Sequence, residues 1–208
     1  MDFETAVNAA SPILTDGGVE TRIMFETDIA LDPHVGVAAL VRDPIGGPVL
    51  RGIYEGYVEA AKLHSLPVVI GTPTFRASPN FTRQARLGGD EAVRRLNTDA
   101  AAMHRDIRER SGYEPVFVAG VIGPSGDAYT PEDALPAGEA REYHRVQAEA
   151  LAGAGVDFLY APTFPSVEEA LGAVRRWGRR ASRAWSASCS GTTGGCWTGR
   201  PCPTMSRG

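Results

Sequence analysis

The first 174 residues contain no cysteine, and the whole chain of 208 residues has a single lysine, Lys62, beside 20 arginines. No apolar stretch approaches the roughly 18 residues that a membrane span needs, so we expect no membrane partner. The N-terminus, Met1–Glu4, is acidic and lacks the apolar core of a signal peptide. Three cysteines without an export signal fit a reducing compartment, so we predict a cytoplasmic protein without a disulfide framework.

Residues 175–208 lack aspartate, glutamate, lysine, leucine, isoleucine, valine, phenylalanine and tyrosine. The same segment contains seven arginines, all three tryptophans and all three cysteines, Cys189, Cys196 and Cys202. Its charge of +7 leaves −11 for residues 1–174, because the net charge of the chain is −4. A segment with almost no apolar aliphatic side chains cannot build a core, so we predict that this tail is disordered. Its arginines form no organised face, and we expect no nucleic-acid partner.

Four short, continuously apolar runs divide the body of the chain, at 12–15, 68–72, 116–120 and 158–161. Such runs are typical of strands buried on both faces of a parallel sheet. Helical periodicity fills the intervals, at 50–60, 93–107, 137–152 and from 166 onwards. Asp90 is the predicted N-cap of the second helix, and Ser166 with Glu169 predicts a capping box for the fourth.

The connections between these elements are asymmetric. Helix-to-strand links are short, whereas strand-to-helix links are long, at 16–47, 74–89 and 121–136. This asymmetry is typical of a βα barrel, whose site lies at the C-terminal ends of the strands. We predict an α/β fold of the (βα)8 TIM-barrel type, of which residues 1–174 supply only the first four βα units. A doubly wound α/β sheet has the same alternation with a different strand order and is the alternative.

Candidate binding residues follow the first strand of the predicted barrel. Asp16, Gly17, Gly18 and Glu20 come directly after it. Two adjacent glycines let the backbone approach a ligand closely, and the two carboxylates suit a cationic group such as an amino-acid ammonium. The alternative is a tight turn with two solvated acids.

Thr72 and Thr74 end the second strand, where their hydroxyl groups suit a carboxylate or an amine. Three glycines follow the third strand, at 120, 123 and 126, but Pro124 and a long loop separate them from the next helix. A dinucleotide-binding loop opens a helix directly, so we reject nucleotide binding. The histidines at 64, 104 and 144 fall on predicted helices, where we expect surface or packing roles.

Together, these motifs resemble the homocysteine S-methyltransferase family. Ile13–Thr21 is similar to that family's "LLDGGxGT" segment, Thr72–Ser78 to its "TNTYxAS", and Gly120–Gly126 to its "GSIGPxG". Gln147–Asp157 and Pro165–Ala170 look like its "LADAGVD…ETIPSLEEA". The resemblance covers residues 11–174 with the motifs in order.

The resemblance implies a βα barrel that binds homocysteine and a methyl donor. In the family, a zinc ion held by three cysteine thiolates activates the substrate sulfur, which then attacks the methyl group. By position, the substrate-binding residues would be Asp16, Gly17, Gly18, Glu20, Thr72, Thr74 and Gly123. No metal ligand is identifiable in the body of the chain, so we assign no metal residues.

Two departures from the family pattern bear on this expectation. The family places a glutamate at the fourth strand end to help hold the homocysteine amine, whereas this chain has Pro162. The family's zinc cysteines belong to the second half of the barrel. Cys196 follows two glycines as in the family's "GGCCG" motif, but it comes too soon after the fourth strand, so we do not assign it to zinc.

A change of reading frame explains the tail better. The use of 20 arginines and only one lysine indicates a GC-rich gene. When such a gene is read out of frame, it tends to encode Arg, Gly, Ala, Pro, Ser, Trp and Cys. We therefore predict a frameshift near residues 175–180 and a truncated methyltransferase barrel that is inactive alone. The alternatives are a non-catalytic barrel fragment, and a different βα-barrel enzyme that uses Asp16 and Glu20.

Overall fold

In a computed structural model of the chain, the structure describes residues 1–9, 11–174 and 184–185. The α-helices are α1 (Phe3–Asn8), α2 (Val19–Glu26), α3 (Gly46–Leu63), α4 (Pro79–Gln84), α5 (Asp90–Ser111), α6 (Ala137–Gly153) and α7 (Val167–Val174). The strands are β1 (Leu14–Thr15), β2 (Val68–Gly71), β3 (Val116–Val121), β4 (Phe158–Tyr160) and β5 (Ala184–Trp185). Short 3₁₀ helices occupy Val37–Arg42 and Pro131–Asp133.

The strands form one parallel sheet in the order β1-β2-β3-β4-β5. Val68 of β2 is in register with Leu14 on one side and with Val116 on the other. Each strand therefore lies beside the one that precedes it in the chain, as in a βα barrel. A doubly wound sheet reverses its strand order near the middle, so the sequential order confirms the barrel type and excludes the alternative.

A fifth strand lies where the sequence predicts no regular structure. Ala184 and Trp185 pair in parallel with Leu159 and Tyr160 of β4. The sequence predicts four strands and a disordered tail, so these two residues differ from that expectation. The other residues from 175 onwards, and Ala10, lie outside the described residues.

The two faces of the sheet carry different apolar clusters. Val68, Ile70 and Val118 belong to the cluster that buries α3 and α5 on the outer face. Val69 and Phe117, which alternate with these residues along β2 and β3, belong to a second cluster on the inner face. Alternating side chains point to opposite faces of a strand, so both faces are buried as the continuous apolar runs predict.

Helix α1 covers the inner face at the start of the strands. The Phe3 ring stacks on Phe158 with a centroid separation of 4.0 Å and contacts Phe117 edge-on at 5.3 Å. Asp2 caps this helix, because its side chain accepts a hydrogen bond from the Thr5 amide at 2.8 Å. Helices α1, α2 and α4 are short and are not predicted from the sequence.

Of the two predicted caps, that of α5 is wrong and that of α7 is found only in part. Asp90 is the first residue of α5, and Gly89 occupies the cap position. Ser166 does cap α7, since its Oγ accepts from the Glu168 amide at 3.2 Å. The Glu169 side chain, however, does not return to Ser166 but is completely buried elsewhere. None of the helices in the described part of the chain is long and apolar enough to cross a membrane.

Candidate functional site

A cavity of about 630 Å³ lies at the C-terminal ends of the strands. Its walls come from the loops after β2 and β3, within 75–84 and 125–135, together with Glu20 and Thr163. This is the end of the sheet at which the asymmetric loop lengths predict a site.

The wall of this cavity carries charge of both signs. Its lining includes the guanidinium of Arg76 and the carboxylates of Glu20, Asp127 and Asp133. Arg76 lies 5.7 Å from the centroid of the Phe81 ring, close enough for a cation–π contact. The cavity can therefore receive a small ligand that has both a cationic and an anionic group.

Asp16 lies at the end of β1, beside the end of β2. Its Oδ1 accepts a hydrogen bond from the Gly71 amide at 2.9 Å. Burial raises the pKa of the Asp16 carboxyl to about 6, although the hydrogen bond from Gly71 acts in the opposite direction. The negative charge of Asp16 also adds to the effect of burial in raising the pKa of Tyr54 and of Tyr160, so both phenols lie near it.

Gly17 and Gly18 form the turn into α2, and Glu20 lies in the first turn of that helix. Gly18 has a φ of 60° in the left-handed region, which a glycine adopts without strain. The Gly17 carbonyl accepts a hydrogen bond from the Tyr57 hydroxyl. Glu20 reaches across to Gly36, where its Oε1 lies 2.9 Å from the position that a Cβ would occupy. Of the predicted binding residues, Glu20 is the one among the lining residues of the cavity.

Thr72 and Thr74 join the ends of β2 and β3. The Val121 amide donates to Thr72 Oγ1 at 2.9 Å, and Thr74 Oγ1 donates to the Val121 carbonyl at 2.6 Å. The two hydroxyls are 2.7 Å apart, so Thr72 donates to Thr74 and closes the ring of hydrogen bonds. Both side chains are buried. Their hydroxyl hydrogens are therefore engaged within the protein.

Gly123 lies where the loop after β3 touches the loop after β2. A Cβ at this position would overlap the Phe75 carbonyl oxygen and lie 2.9 Å from its ring. Because Phe75 lines the cavity, this glycine allows the two loops that form the wall to pack together. Pro162, at the position of the family's glutamate, is half-buried and precedes Thr163 of the cavity wall.

Several polar residues in and behind the cavity wall are not predicted from the sequence. The Tyr143 hydroxyl is 2.9 Å from Ser78 Oγ and accepts from the Asn80 amide at 3.1 Å. The Asn80 side chain donates to the Ser125 carbonyl at 2.9 Å, which ties the two cavity loops together. These residues lie on different elements and show no common sequence spacing, so only the tertiary structure brings them together.

The described residues do not fit the zinc site that the resemblance implies. Within residues 1–9 and 11–174, no group of three or more histidine, cysteine, aspartate or glutamate side chains is arranged to hold a metal ion. The three cysteines, at 189, 196 and 202, lie outside the described residues.

Solved structures with the same fold include two forms of one enzyme. The metallated form of the homocysteine methyltransferase MmuM from Escherichia coli is similar with a TM-score of 0.67 and 20% identity over 82% of this chain. Its oxidized form gives a TM-score of 0.69 and 21% identity over 86% of this chain. The chain spans 59% and 62% of the length of these two structures. At this identity the similarity shows the fold.

The family is shown by the sequence itself. No curated protein matches the chain. The model of the family described as homocysteine S-methyltransferase matches residues 13–202, which include both the strand-end segments and most of the tail. The chain therefore belongs to the homocysteine S-methyltransferase family.

Proposed function

We propose that this chain carries the homocysteine-binding face of a methyltransferase that transfers a methyl group to a small-molecule thiol. The family match over residues 13–202 carries the proposal. The cavity at the strand ends supports it, because a site of this kind belongs at that end of a βα barrel. Homocysteine is an amino acid, and a wall with one guanidinium and three carboxylates suits its carboxylate and ammonium groups.

We assign the recognition of the ammonium group first to Glu20, which lines the cavity, and second to Asp16, which lies at the end of β1 outside the lining. Gly17 and Gly18 form the turn between them and allow close approach of a ligand to the backbone. Thr72, Thr74 and Gly123 contribute through the backbone that they hold in place, since the threonine hydroxyls bond within the protein. Pro162 has no side-chain acceptor, so it cannot bind the ammonium group as the family's glutamate does. Asp16 and Glu20 would have to bind that group in its place.

Zinc is the cofactor that the family leads us to expect. Because the described residues supply no ligand set, we derive no catalytic step through a metal in this chain. We propose instead that the chain binds the thiol substrate but does not turn it over alone.

Binding and turnover are tested separately. L-Homocysteine is titrated into the purified full chain by calorimetry, and methionine is assayed with S-adenosylmethionine as a sulfonium donor, with and without Zn²⁺. We expect binding that weakens at least about tenfold in Glu20→Gln, because a charged hydrogen bond to the ammonium is lost. The exposed Glu109→Gln is the matched control. Absence of binding would contradict the proposed function, and methionine formation would contradict the proposed inactivity.

A second candidate function rests on the titration of Asp16. A carboxyl with a pKa of about 6 can both accept and release a proton near neutral pH, as a general base must. A βα-barrel lyase or hydrolase that uses Asp16 and Glu20 would exploit this property. A chain that fails to bind homocysteine, yet loses another activity on Asp16→Asn substitution, would favour this candidate.

We also propose that the composition change near residues 175–180 reflects a shift of reading frame. The segment from 175 has seven arginines and no acidic residue, in contrast to the acidic body of the chain. The gene should then encode barrel-like sequence in an alternative frame beyond codon 174. Translation of the gene in all frames tests this, and absence of such sequence from both alternative frames would contradict it.

A further inference from the structure

The Glu169 side chain is completely buried. Acidic side chains are almost never fully buried unless they are paired, so the partners of this carboxylate need to be identified. It lies in the first turn of α7, and its Oε1 accepts from the Ser125 amide at 2.7 Å. Its Oε2 accepts from the Leu135 amide at 3.4 Å. Burial raises the pKa of the Glu169 carboxyl, but the hydrogen bonds from His144 and Ser125 outweigh this effect and hold the pKa below its usual value. One buried carboxylate therefore bonds to two separate points of the loop after β3.

Those two points are the ends of one wall of the cavity. The lining residues from this loop fall within 125–135, from Ser125 to Leu135. Between these ends the loop is held by local bonds, such as that from the Tyr129 amide to Asp127 Oδ1 at 2.7 Å. Glu169 thus accepts hydrogen bonds from both ends of this wall, although it is not itself a lining residue of the cavity.

His144 holds Glu169 in turn. Its Nε2 lies 3.1 Å from Glu169 Oε1, and its ring contacts those of Tyr143 and Phe164. The carboxylate accepts two backbone hydrogen bonds, so Nε2 is the donor in this pair. Nδ1 is buried and has no partner among the described residues. The contact of the ring with Glu169 is therefore made through Nε2 alone.

We propose that Glu169 is a positioning residue that fixes the 125–135 wall of the cavity, with His144 orienting its carboxylate. The proposal rests on the proposed function only in treating this cavity as the ligand site. The carboxylate bonds to backbone amides and does not line the cavity. It can therefore affect ligand binding only by fixing the position of the wall. Its neighbour Glu168 is exposed and serves as a matched control.

Hydrogen exchange of the full chain without ligand tests the positioning role. Glu169→Gln has one acceptor oxygen and no charge, so it cannot hold both amides, and we expect amides in 125–135 to exchange about tenfold faster or more. The acceleration should exceed that of β2 amides, which reports the change in global stability. Glu168→Gln should change neither region. Equal acceleration of the loop and of β2 in Glu169→Gln would overturn the proposal.

A measurement on the unmodified chain covers the case in which Glu169→Gln does not fold. The Ser125 amide should exchange at least about tenfold more slowly than the exposed amides of the same loop, because it donates to a buried carboxylate. A Ser125 amide that exchanges as fast as those amides would overturn the proposal. The ¹⁵N shifts of His144 should likewise report a proton on Nε2, and an Nε2 without a proton would contradict the orienting role.

Addition of L-homocysteine separates this proposal from the proposed function. If both hold, homocysteine slows exchange in 125–135 of the unmodified chain, and the protection is weakened at least tenfold in Glu169→Gln. If homocysteine changes nothing while the ligand-free difference remains, the positioning role stands and the proposed function fails.

Discussion

Asp16 and His104 lie on opposite sides of the same residue, Gly71. Asp16 Oδ1 accepts from the Gly71 amide, and His104 Nε2 is 3.0 Å from the Gly71 carbonyl. Burial shifts the two pKa values in opposite directions, that of Asp16 up to about 6 and that of His104 down to about 4. Both shifts favour the uncharged form, because a buried charge loses its hydration. The charge of Asp16 at neutral pH therefore costs stability.

Asp16→Asn should stabilise the chain at pH 7.5. The folded pKa of Asp16 lies above the unfolded value of 3.8, so its favourable protonated state is lost as pH rises through 6. The amide keeps an acceptor for Gly71 and carries no charge. We expect the free energy of unfolding to rise by about 2 kcal/mol at pH 7.5 and to change little at pH 4. Urea unfolding measures this, and an equal effect at both pH values would contradict the assignment of the cost to charge.

His104 should make the chain sensitive to acid. Its folded pKa lies below the unfolded value of 6.5, so the stability that it contributes is present above pH 6.5 and is lost as pH falls to about 4. The loss amounts to about 3 kcal/mol, and it opposes the gain from Asp16 in the same range. His104→Gln should remove this part of the pH dependence, whereas the exposed His64→Gln should leave it. Urea midpoints between pH 4 and 7 provide the comparison.

At the scale of elements, the regular strands and long helices are predictable from the sequence. β2 and β3 are continuous apolar runs, and α5 has apolar side chains at helical spacing. α1 has six residues and α4 has six, which is too short for periodicity to show. Their positions depend on packing, as in the contact of Phe3 with Phe158 across the inner face of the sheet.

Helix α1 should contribute substantially to stability through one residue. Phe3 is 6% exposed and stacks on Phe158, so Phe3→Ala leaves a cavity on the inner face of the sheet. We expect a loss of about 3 kcal/mol in the free energy of unfolding. Phe25 is 81% exposed, and Phe25→Ala should change the value by less than about 0.5 kcal/mol. Similar values for the two variants in urea unfolding would show that α1 does not pack as described.

At the scale of the whole molecule, the described sheet is an open set of five strands. β1 and β5 lie at its edges, and each edge strand has backbone groups that no described strand pairs. A closed barrel has no such edges, because its first and last strands pair. The apolar inner face is covered at one end by α1.

The open sheet predicts weak cooperativity for the chain in isolation. We expect a broad thermal transition accompanied by light scattering that increases with protein concentration, because exposed edges associate. Calorimetry and scattering on the purified full chain measure both. A sharp, reversible transition with no concentration dependence would contradict this prediction and would show that residues beyond 174 complete the fold.

The family and the alternation of strands and helices were determined by the sequence alone, because strand-end motifs such as Asp16–Glu20 and apolar periodicity are local patterns. The strand order, which separates a barrel from a doubly wound sheet, and the contacts of single side chains were decided only by the tertiary structure. The capping-box prediction illustrates the difference: Ser166 and Glu169 have the right spacing, yet the Glu169 carboxylate bonds to Ser125, 44 residues away. Burial of a charge needs donors, and only the folded chain brings those donors to it.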